Sequence, residues 1–449
     1  MSDFICRCVS CAILRFCNKS NVKIDFRGGE LSSDGGLLLL KAFAEKIGLT
    51  KLIGEVFHTV DTATYRIHTD SSNLMQTIFM IIAAYFLDDH ADAMAYDPVL
   101  LEILEKARLA SQPTLSRFFN RMDESTLAQL EKISMELLKT AYSVEMPRAM
   151  VLDMDTTLLN TYGNQEGAAY NAHYEAPGYH PILLFNSLTR DLIKAELRPG
   201  TQYCSKGTAE FLEPVLKDYR EQYPEIKLYA RGDSGFASPE IYEVLEKYGC
   251  KYMIRLKDNP RLRKMVEDKD AELYERAKTD AISYAVEYGE FQYRAESWSK
   301  ERRVCYKIEK PYGEMLHVYT FIVNNTDEWE PEQVIDEYCD RGEMENFIKE
   351  CKNGFDFGGV SSSSMIVNAN RLQVHVLAYN LFNLFRRLVL PGKMKNQEVD
   401  TIRLKLIKIA ARCVHSSRRV FFKLCSSCPY QAEFRATMRN IQQLKIQAA

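Results

Sequence analysis

Two aspartates on one short apolar segment are the first residues of this sequence whose types and spacing could do chemistry. Asp153 and Asp155 lie within Met150–Leu159, whose apolar, β-enriched composition predicts a strand. Side chains alternate along a strand, so the two carboxylates share one face. Burying a carboxylate is costly unless it is paired or binds a cation, so the pattern favours a metal site. The alternative is that the acids lie at a strand end and point into solvent.

A third aspartate follows another predicted strand. Asp233 comes directly after the strand that begins at Lys227, and open α/β sheets usually place their ligands beyond the carboxyl ends of strands. Gly232 and Gly235 flank it and allow the backbone to turn tightly around the carboxylate. Asp233 is therefore a second candidate metal ligand.

A glutamate completes the acidic set on a predicted helix, Pro331–Lys352. Counted from Tyr338, residues Arg341, Glu345 and Lys352 lie at offsets 3, 7 and 14. At about 100° per residue, the four side chains fall within an arc of roughly 60° on a continuous helix. One stripe would carry a phenol, a guanidinium, a carboxylate and an ammonium group. Charge pairs that decorate a solvent-exposed face could give a similar pattern.

The elements that must position these residues form an α/β pattern. Three strands, a helix, a strand, a helix and a strand follow one another, which is the order of an RNase H-like α/β domain. The predicted elements are Met150–Leu159, Ile182–Ser187, Leu192–Leu197, Thr208–Tyr223, Lys227–Ala230, Pro239–Tyr248 and Cys250–Leu256.

Changes in predicted secondary structure and composition along the chain divide it into six segments. We predict a lead-in at 1–30, a helical N-terminal domain at 31–145 and the first part of the core at 146–257. A β-rich insertion at 258–330 precedes the glutamate helix at 331–360, and a basic helical region occupies 361–449. The insertion is predicted as an inserted antiparallel sheet, with strands at Ala281–Tyr288, Phe291–Ser297, Val304–Glu309 and His317–Asn324. In the last segment, helices are predicted at Arg371–Leu390 and Glu398–Cys413.

Two regions are candidates for contact with DNA. Ser111–Phe118 has a polar cap, a proline in its first turn and Arg117 on a polar face, which suits a helix that enters a DNA groove. From Arg371 to the end there are 15 Lys/Arg against 3 Asp/Glu, as phosphate binding would use. A well-capped helix and a solvated face are the alternatives. The basic candidates are Arg386, Arg387, Arg403, Lys405, Arg418 and Arg419.

Composition limits the class of protein. The chain has 449 residues, 46% of them hydrophobic and 27% charged, which predicts a soluble globular protein with two to four structural units. No apolar run reaches the ~18 residues needed to cross a bilayer, and the N-terminus lacks the apolar core of a secretory signal. We therefore expect a cytoplasmic location and no membrane partner. The net charge of −3 argues against a uniformly basic DNA-coating protein.

Twelve cysteines raise the question of zinc. Cys6, Cys8, Cys11 and Cys17 form one cluster, and the pair Cys425 and Cys428 has C-x-x-C spacing. The first spacing is irregular and the second has no partner pair nearby. We expect reduced thiols without metal, as is usual in the cytosol.

The spacing Tyr-x2-Arg-x3-Glu-x6-Lys, formed by Tyr338, Arg341, Glu345 and Lys352, resembles the signature of transposases of the bacterial insertion-sequence 4 superfamily. Asp155 with the two following threonines resembles the first catalytic aspartate of that superfamily. Asp233 lies where the second belongs. More closely, the sequence looks like an insertion-sequence 1380 family transposase over residues 22–425. Supporting segments are 32–36, 111–117, 163–168, 178–181, 197–200 and 231–236.

The resemblance implies a DDE transposase with an RNase H-like core and a β-rich insertion before the glutamate. It also implies double-stranded DNA partners, namely terminal inverted repeats and target DNA, and a homodimer on two DNA ends. Two Mg²⁺ ions, for which Mn²⁺ may substitute, would be bridged by Asp155 and flanked by Asp233 and Glu345. These ions would activate water or a 3′-hydroxyl and stabilise the departing oxygen.

The remaining site residues have expected roles around this centre. Arg341 and Lys352 would bind phosphates, and Tyr338 would orient one through its hydroxyl or simply pack. Asp153 is expected to support the site structurally rather than to bind metal. Relatives that excise through a hairpin stack a tryptophan on a flipped base, and Trp298 is the better candidate of two, although it could equally be a core residue.

Two alternatives remain open from the sequence. An RNase H-like nuclease or resolvase would cut DNA without strand transfer, although the Tyr-Arg-Glu-Lys spacing disfavours it. A regulator descended from a transposase would bind DNA without activity, and an intact acidic triad argues against that.

Overall fold

The N-terminal part of the chain consists of short strands followed by helices. The structure, a computed structural model, describes residues 11–15, 21–61, 65–277, 284–314, 316–417 and 419–446. Cys6, Cys8, Cys17 and Arg418 therefore lie outside the described residues. The first two strands pair antiparallel as a hairpin. The elements are β1 (Cys11–Arg15), β2 (Asn21–Asp25), β3 (Leu31–Ser32), α1 (Leu37–Lys46), α2 (Leu49–Val56), α3 (Asp70–Ile82), α4 (His90–Ala93), α5 (Pro98–Ile103), α6 (Gln112–Phe119) and α7 (Glu124–Val144).

The catalytic candidates lie in a mixed α/β unit that begins after α7. Apolar β-enriched runs form its strands, and two amphipathic segments form its helices. The elements are β4 (Ala149–Thr156), β5 (Leu159–Asn160), β6 (Ala169–Asn171), β7 (Ala176–Tyr179), β8 (Ile182–Asn186), β9 (Asp191–Glu196), α8 (Thr208–Gln222), β10 (Lys227–Gly232), α9 (Pro239–Lys247) and β11 (Lys251–Leu256).

Strand pairing in this unit has the order β9-β8-β4-β10-β11. Strands β4, β8 and β9 form an antiparallel meander, whereas β10 runs parallel to both β4 and β11. Parallel strands need crossover helices, which α8 and α9 supply. This mixed topology is consistent with a transposase RNase H-like core. It also brings the carboxyl ends of β4 and β10 side by side.

The segment before the glutamate helix extends the same sheet and does not form a separate one. It contains α10 (Pro260–Met265), α11 (Glu267–Ala277), β12 (Ala285–Tyr293), β13 (Arg302–Lys310) and β14 (Val318–Asn324). Strand β14 pairs antiparallel with β11, so the sheet has eight strands in the order β12-β13-β14-β11-β10-β4-β8-β9. The antiparallel strands predicted for this segment thus continue the sheet that carries Asp155.

One strand replaces two that were predicted in this segment. Ala281–Tyr288 and Phe291–Ser297 were predicted as two strands, of which residues 281–283 lie outside the described residues. The structure has a single strand, β12, in which Gly289 pairs with Tyr306 of β13. The Tyr306 ring fills the space that a side chain at position 289 would occupy, so the glycine permits a close approach and does not form a turn.

The C-terminal part is less helical than predicted. Its elements are α12 (Pro331–Cys339), α13 (Glu343–Phe355), α14 (Met365–Val389), α15 (Val399–Ile402), β15 (Ala411–Ser416), β16 (Arg419–Leu424) and α16 (Gln431–Gln443). Between these lie 3₁₀ turns at Asp340–Gly342 and Gly392–Asn396 and a π turn at Arg403–Ile407.

The predicted helix Glu398–Cys413 is wrong beyond Ile407. From there the chain runs against the N-terminal turn, where the amides of Gly35 and Gly36 donate to the carbonyls of Ile409 and Ile407. It then forms β15, which pairs with β3 and β16 in a three-stranded sheet. These partners are distant in sequence, so local periodicity could not reveal them.

Helix α14 joins the helical N-terminal part to the large sheet. It packs against α3 and α7 on one side and against β9 on the other. Its buried polar side chains are paired: the Asn380 amide donates to the carbonyl of Leu192 at 2.8 Å and accepts from the Leu192 amide at 3.0 Å. Among the described residues, no helix is long and apolar enough to cross a membrane.

Candidate active site

Asp153 forms a buried ion pair. Its side chain is 0% exposed, and its two oxygens accept from the Arg231 guanidinium at 2.7 and 2.8 Å. Arg231 lies beside Asp153 in the register of β10 and β4. A carboxylate whose two oxygens already accept from one guanidinium has little capacity left for a cation. The geometry agrees with a structural role for Asp153.

Arg231 also connects three elements of the site. Besides Asp153, it donates to Ser187 Oγ at 3.1 Å and to the backbone carbonyl of Glu337 on α12. The helix that precedes the candidate glutamate is thereby held to the sheet. The sequence analysis did not assign this role to Arg231. A sequence signal for this role exists. Arg231 is a charged residue directly after a predicted strand, and another predicted strand carries an aspartate, Asp153, that could neutralise it.

Asp155 and Asp233 lie at the carboxyl ends of neighbouring parallel strands. Asp155 is 18% exposed, accepts from the Thr156 amide at 2.8 Å and pairs with Arg341 at 2.9 Å. Asp233 caps the 3₁₀ turn Ser234–Phe236 and accepts from the Gly235 amide at 2.9 Å. Asp233 thus lies directly after its strand, as predicted, and Asp155 lies within its strand, one residue before the end of β4.

Electrostatics link the third carboxylate to the first. Burial, together with the charges of Asp233 and Glu345, raises the pKa of Asp155 to about 6, even though Arg341 opposes this shift. Like charges that face one group raise its pKa because they disfavour a further negative charge. The negative charges of Asp233 and Glu345 therefore both act on the Asp155 carboxylate. Glu345 itself lies exposed on α13.

The helix that carries the glutamate is not continuous. A single helix was predicted over Pro331–Lys352, but α12 ends at Cys339 and a 3₁₀ turn precedes α13. Gly342 ends that turn, and glycine is a poor helix former. Tyr338 therefore lies on α12, Arg341 in the turn, and Glu345 and Lys352 on α13. The four side chains therefore do not form the straight stripe that a continuous helix predicted.

The two cationic members of this group both reach strand β4 or the residues just after it. Arg341 donates to the Met154 carbonyl at 3.2 Å as well as pairing with Asp155. Lys352 Nζ donates to the Leu158 carbonyl at 3.0 Å and lies 3.4 Å from Thr157 Oγ1. Two positive charges thus flank the segment that carries Asp155.

Tyr338 is a packing residue with a polar end. Its side chain is 9% exposed within an apolar cluster that includes Met253, Cys305 and Ile335. Burial raises the pKa of Tyr338, and the charges of Arg341 and Asp233 also act on its hydroxyl. The ring supports α12 against the sheet, while the hydroxyl lies within electrostatic reach of the acidic set.

Helix α13 is held in place by an ion pair whose arginine, Arg386, was predicted to contact DNA. Arg386 was expected to follow the DNA backbone, but it is 2% exposed and forms two contacts with Glu350, at 2.8 and 3.0 Å. Arg403 is likewise buried and donates to the carbonyls of Ile81 and Ile82 at the end of α3. Both predictions were wrong because charge counts do not separate buried from exposed arginines.

Two further basic candidates have protein partners, and one is exposed. Arg387 pairs with the buried Asp191 at 3.1 Å, and Lys405 donates to the Gln397 side chain at 3.2 Å. Arg419 begins β16 with an exposed side chain. Some basic side chains of the last segment therefore bind partners within the fold, and others are exposed at the surface.

Trp298 lies in the core. It is 5% exposed and packs edge-on against Tyr242 and Tyr293, with ring centroids 5.3 and 5.4 Å apart. The guanidinium of Arg302 lies 5.5 Å from its ring centroid. The expectation that Trp298 stacks on a flipped base is wrong for this arrangement, because its ring is enclosed by these side chains.

Arg117 lies apart from the acidic set. It is exposed on α6, which begins after Ser111 with Pro113 in its first turn, as predicted. Helix α6 packs against α3, α4 and α14. Its charge does not figure among those that shift the pKa of Asp155.

Two side chains near the aspartates had no sequence signal. The Tyr174 hydroxyl donates to the Thr156 carbonyl at 3.2 Å, and Thr156 Oγ1 lies 3.4 Å from Cys204 Sγ. Burial and the charge of Asp155 raise the pKa of Tyr174 to about 12. Tyr174 lies in the β6–β7 hairpin, which only the tertiary fold brings to the end of β4.

The acidic set fits divalent magnesium by its donor chemistry. All three side chains offer hard oxygen ligands, and their mutual repulsion at Asp155 would be relieved by a cation. Asp155, Asp233 and Glu345 would hold such ions, and Arg341 occupies Asp155 in their place here. The arrangement can thus bind cations and phosphates at one edge of the sheet.

Comparisons with known proteins show which family the chain matches. The family model described as "Transposase DDE domain group 1" matches residues 14–446. Among solved structures, the chain is similar to a piggyBac transposase synaptic complex with hairpin DNA, at 13% identity and a TM-score of 0.43, over 85% of this chain and 82% of that one. It is also similar to a Mos1 transposase paired-end complex with left transposon end, at 15% identity and a TM-score of 0.18, over 44% of this chain and 61% of that one. The comparison with curated proteins gave no match.

Proposed function

The chain belongs to the transposase DDE domain family, group 1, and on this premise we propose that it cleaves the ends of a transposable element and transfers them into target DNA. The observation that carries the proposal is the arrangement around Asp155. Two other carboxylates, Asp233 and Glu345, act on its pKa, and Arg341 pairs with it. Metal-assisted phosphoryl transfer requires a cation-binding acidic set beside groups that bind phosphate.

We assign the acidic residues the roles of metal ligands. The charges of both other acids act on Asp155, which is the proposed bridging ligand, and Asp233 and Glu345 are the proposed flanking ligands. Bound Mg²⁺, or Mn²⁺ in its place, would lower the pKa of an attacking water or 3′-hydroxyl and stabilise the leaving oxygen. Three acids suffice because magnesium retains several waters.

The cationic side chains would position the scissile phosphate. In the absence of DNA, Arg341 neutralises Asp155 at 2.9 Å. With cations held at Asp155, the planar guanidinium of Arg341 would be free to bind a phosphate through two parallel hydrogen bonds. Lys352, which lies beside Thr157, would add a point charge, and the Tyr338 hydroxyl would orient the same phosphate.

The partners proposed for the enzyme follow from this chemistry. Its substrates are double-stranded terminal inverted repeats and target DNA, bound by a homodimer that holds two ends. Exposed Arg117 on α6 is the proposed DNA contact of the helical N-terminal part. Within its family we propose a place among insertion-sequence 1380 transposases, and a bacterial cytoplasmic location at the nucleoid.

A cleavage assay with a matched pair of variants tests this function. Purified protein is incubated with Mg²⁺ and a labelled duplex that carries the element's own terminal repeat. Glu345→Ala should bind this duplex but not cut it, whereas Glu343→Ala, an exposed acid two residues earlier on α13, should cut normally. Equal activity of the two variants would refute the assignment. Cutting without joining to target DNA would favour a nuclease or resolvase instead.

A further inference from the structure

A second group of metal-ligating side chains lies where the two ends of the described chain meet. Strand β15 carries Cys413 and His415, which share one face because they are two residues apart. Glu30 immediately precedes β3, the strand that pairs with β15, and its carbonyl accepts from the Cys413 amide at 2.9 Å. The fold thus brings a thiol, an imidazole and a carboxylate together across about 380 residues of chain.

Two of the distances within this trio match the edges of a tetrahedral ion site. Cys413 Sγ lies 3.5 Å from His415 Nε2, and His415 Nε2 lies 3.3 Å from a carboxylate oxygen of Glu30. The three ligand atoms all lie within 4.8 Å of one another. Zinc bonds of about 2.3 Å to sulfur and about 2.0–2.1 Å to nitrogen or oxygen, at tetrahedral angles, give edges of about 3.5 and about 3.3 Å. Among the described residues, this is the one such group.

We propose that Glu30, Cys413 and His415 bind a zinc ion that joins strand β3 to the C-terminal β-hairpin. A thiolate with an imidazole selects a borderline-soft ion over magnesium, which prefers oxygen ligands alone. The site is therefore chemically distinct from the carboxylates at Asp155. Neither cysteine of the C-x-x-C pair is involved, since Cys425 and Cys428 follow the end of β16.

The surroundings offer the fourth ligand. Glu30 and His415 line a surface cavity together with Glu102 of α5. Glu102 or a water molecule in the cavity would complete the tetrahedron. His415 and Glu30 have side chains 64% and 61% exposed, so the ion can enter from solvent.

We expect the bound zinc to hold the C-terminal hairpin of β15 and β16 against strand β3. Strand β3 contributes only two residues to its pairing with β15, at Leu31 and Ser32. A bond from Glu30 through zinc to Cys413 and His415 would reinforce that short contact and close a long loop. Zinc should therefore raise the thermal midpoint of the whole chain without replacing Mg²⁺ in catalysis.

Metal content of the purified full-length protein tests the proposal. We expect His415→Ala and Glu30→Ala to hold one zinc equivalent less than the wild type by elemental analysis, with zinc affinity reduced at least about 100-fold, more than the loss of an outer partner produces. His58→Ala, another exposed histidine, is the matched control and should retain the full content. Because both test positions are exposed, their replacement should not prevent folding, which circular dichroism verifies.

Cobalt spectroscopy separates this site from the other cysteines. Co²⁺ added to the metal-free wild type should give a thiolate charge-transfer band that Cys413→Ser removes and Cys425→Ser leaves in place. Equal zinc content in the wild type and His415→Ala would overturn the proposal. So would a band that depends on Cys425 and not on Cys413.

Discussion

Replacing Asp155 by asparagine is expected to stabilise the fold while it abolishes DNA cleavage. The pKa of Asp155 is raised from 3.8 to about 6 by burial and by Asp233 and Glu345, with the attraction of Arg341 already included. Two pKa units at about 1.4 kcal/mol each correspond to a penalty of roughly 3 kcal/mol for the ionised form in the folded protein. Asparagine is nearly isosteric with the neutral acid and removes this penalty.

The sign of the effect depends on pH. The folded protein keeps a proton on Asp155 up to about pH 6, whereas the unfolded chain releases it near its ordinary pKa of about 4. Stability from this group is therefore fully present below about pH 4 and is lost as the pH rises through 6. The stabilisation by Asp155→Asn should be close to zero at pH 4 and reach about 1–3 kcal/mol at pH 7.5.

Urea unfolding without divalent ions, at both pH values, measures this difference. Asp153→Asn is the matched control, two residues away on the same strand. It should lose about 3–5 kcal/mol at pH 7.5, because it leaves the buried Arg231 without its counter-charge. A loss of stability in Asp155→Asn at pH 7.5, or a gain that does not change with pH, would refute the electrostatic reasoning.

Three further predictions concern the same network. Arg231→Met should lower the free energy of unfolding by about 3–5 kcal/mol, since Asp153 stays buried, and Arg231→Met with Asp153→Leu should recover most of it in urea unfolding. Mg²⁺ should raise the thermal midpoint of the wild type but not of Asp155→Asn, because a cation relieves repulsion only where the charge exists. Arg341→Gln removes a charge that lowers the pKa of Asp155, so the pH midpoint of magnesium stabilisation should rise by about one unit. An unchanged midpoint would show that Arg341 does not act on Asp155.

Local pattern was sufficient for the strands that carry the site. Apolar β-enriched runs around Asp155 and before Asp233 predicted β4 and β10, because buried parallel strands leave a strong compositional signal. The residue spacing from Tyr338 to Lys352 predicted helical structure there, and α12 and α13 have it. It could not show the 3₁₀ turn at Asp340–Gly342, which is too short to alter the periodicity.

Long-range contacts account for what the sequence did not reveal. Arg231 and Asp153 are 78 positions apart, and only strand register makes them neighbours. The residues after Ile407 become a strand because β3 lies beside them, and Ser32 of β3 pairs with Ala411, 379 residues later in the chain. Trp298 and Arg386 were assigned to DNA by residue type, whereas burial decides their role.

Metal-specific rescue of DNA cleavage tests the central claim most directly. Asp155→Cys and Asp233→Cys replace an oxygen ligand by a softer thiolate, which binds Mg²⁺ poorly and Mn²⁺ better. On a duplex with the element's own end, both variants should be inactive in Mg²⁺ and partly active in Mn²⁺, whereas the wild type is active in both. Cleavage by either variant in Mg²⁺ at the wild-type rate would contradict the assignment of these carboxylates as the catalytic metal ligands.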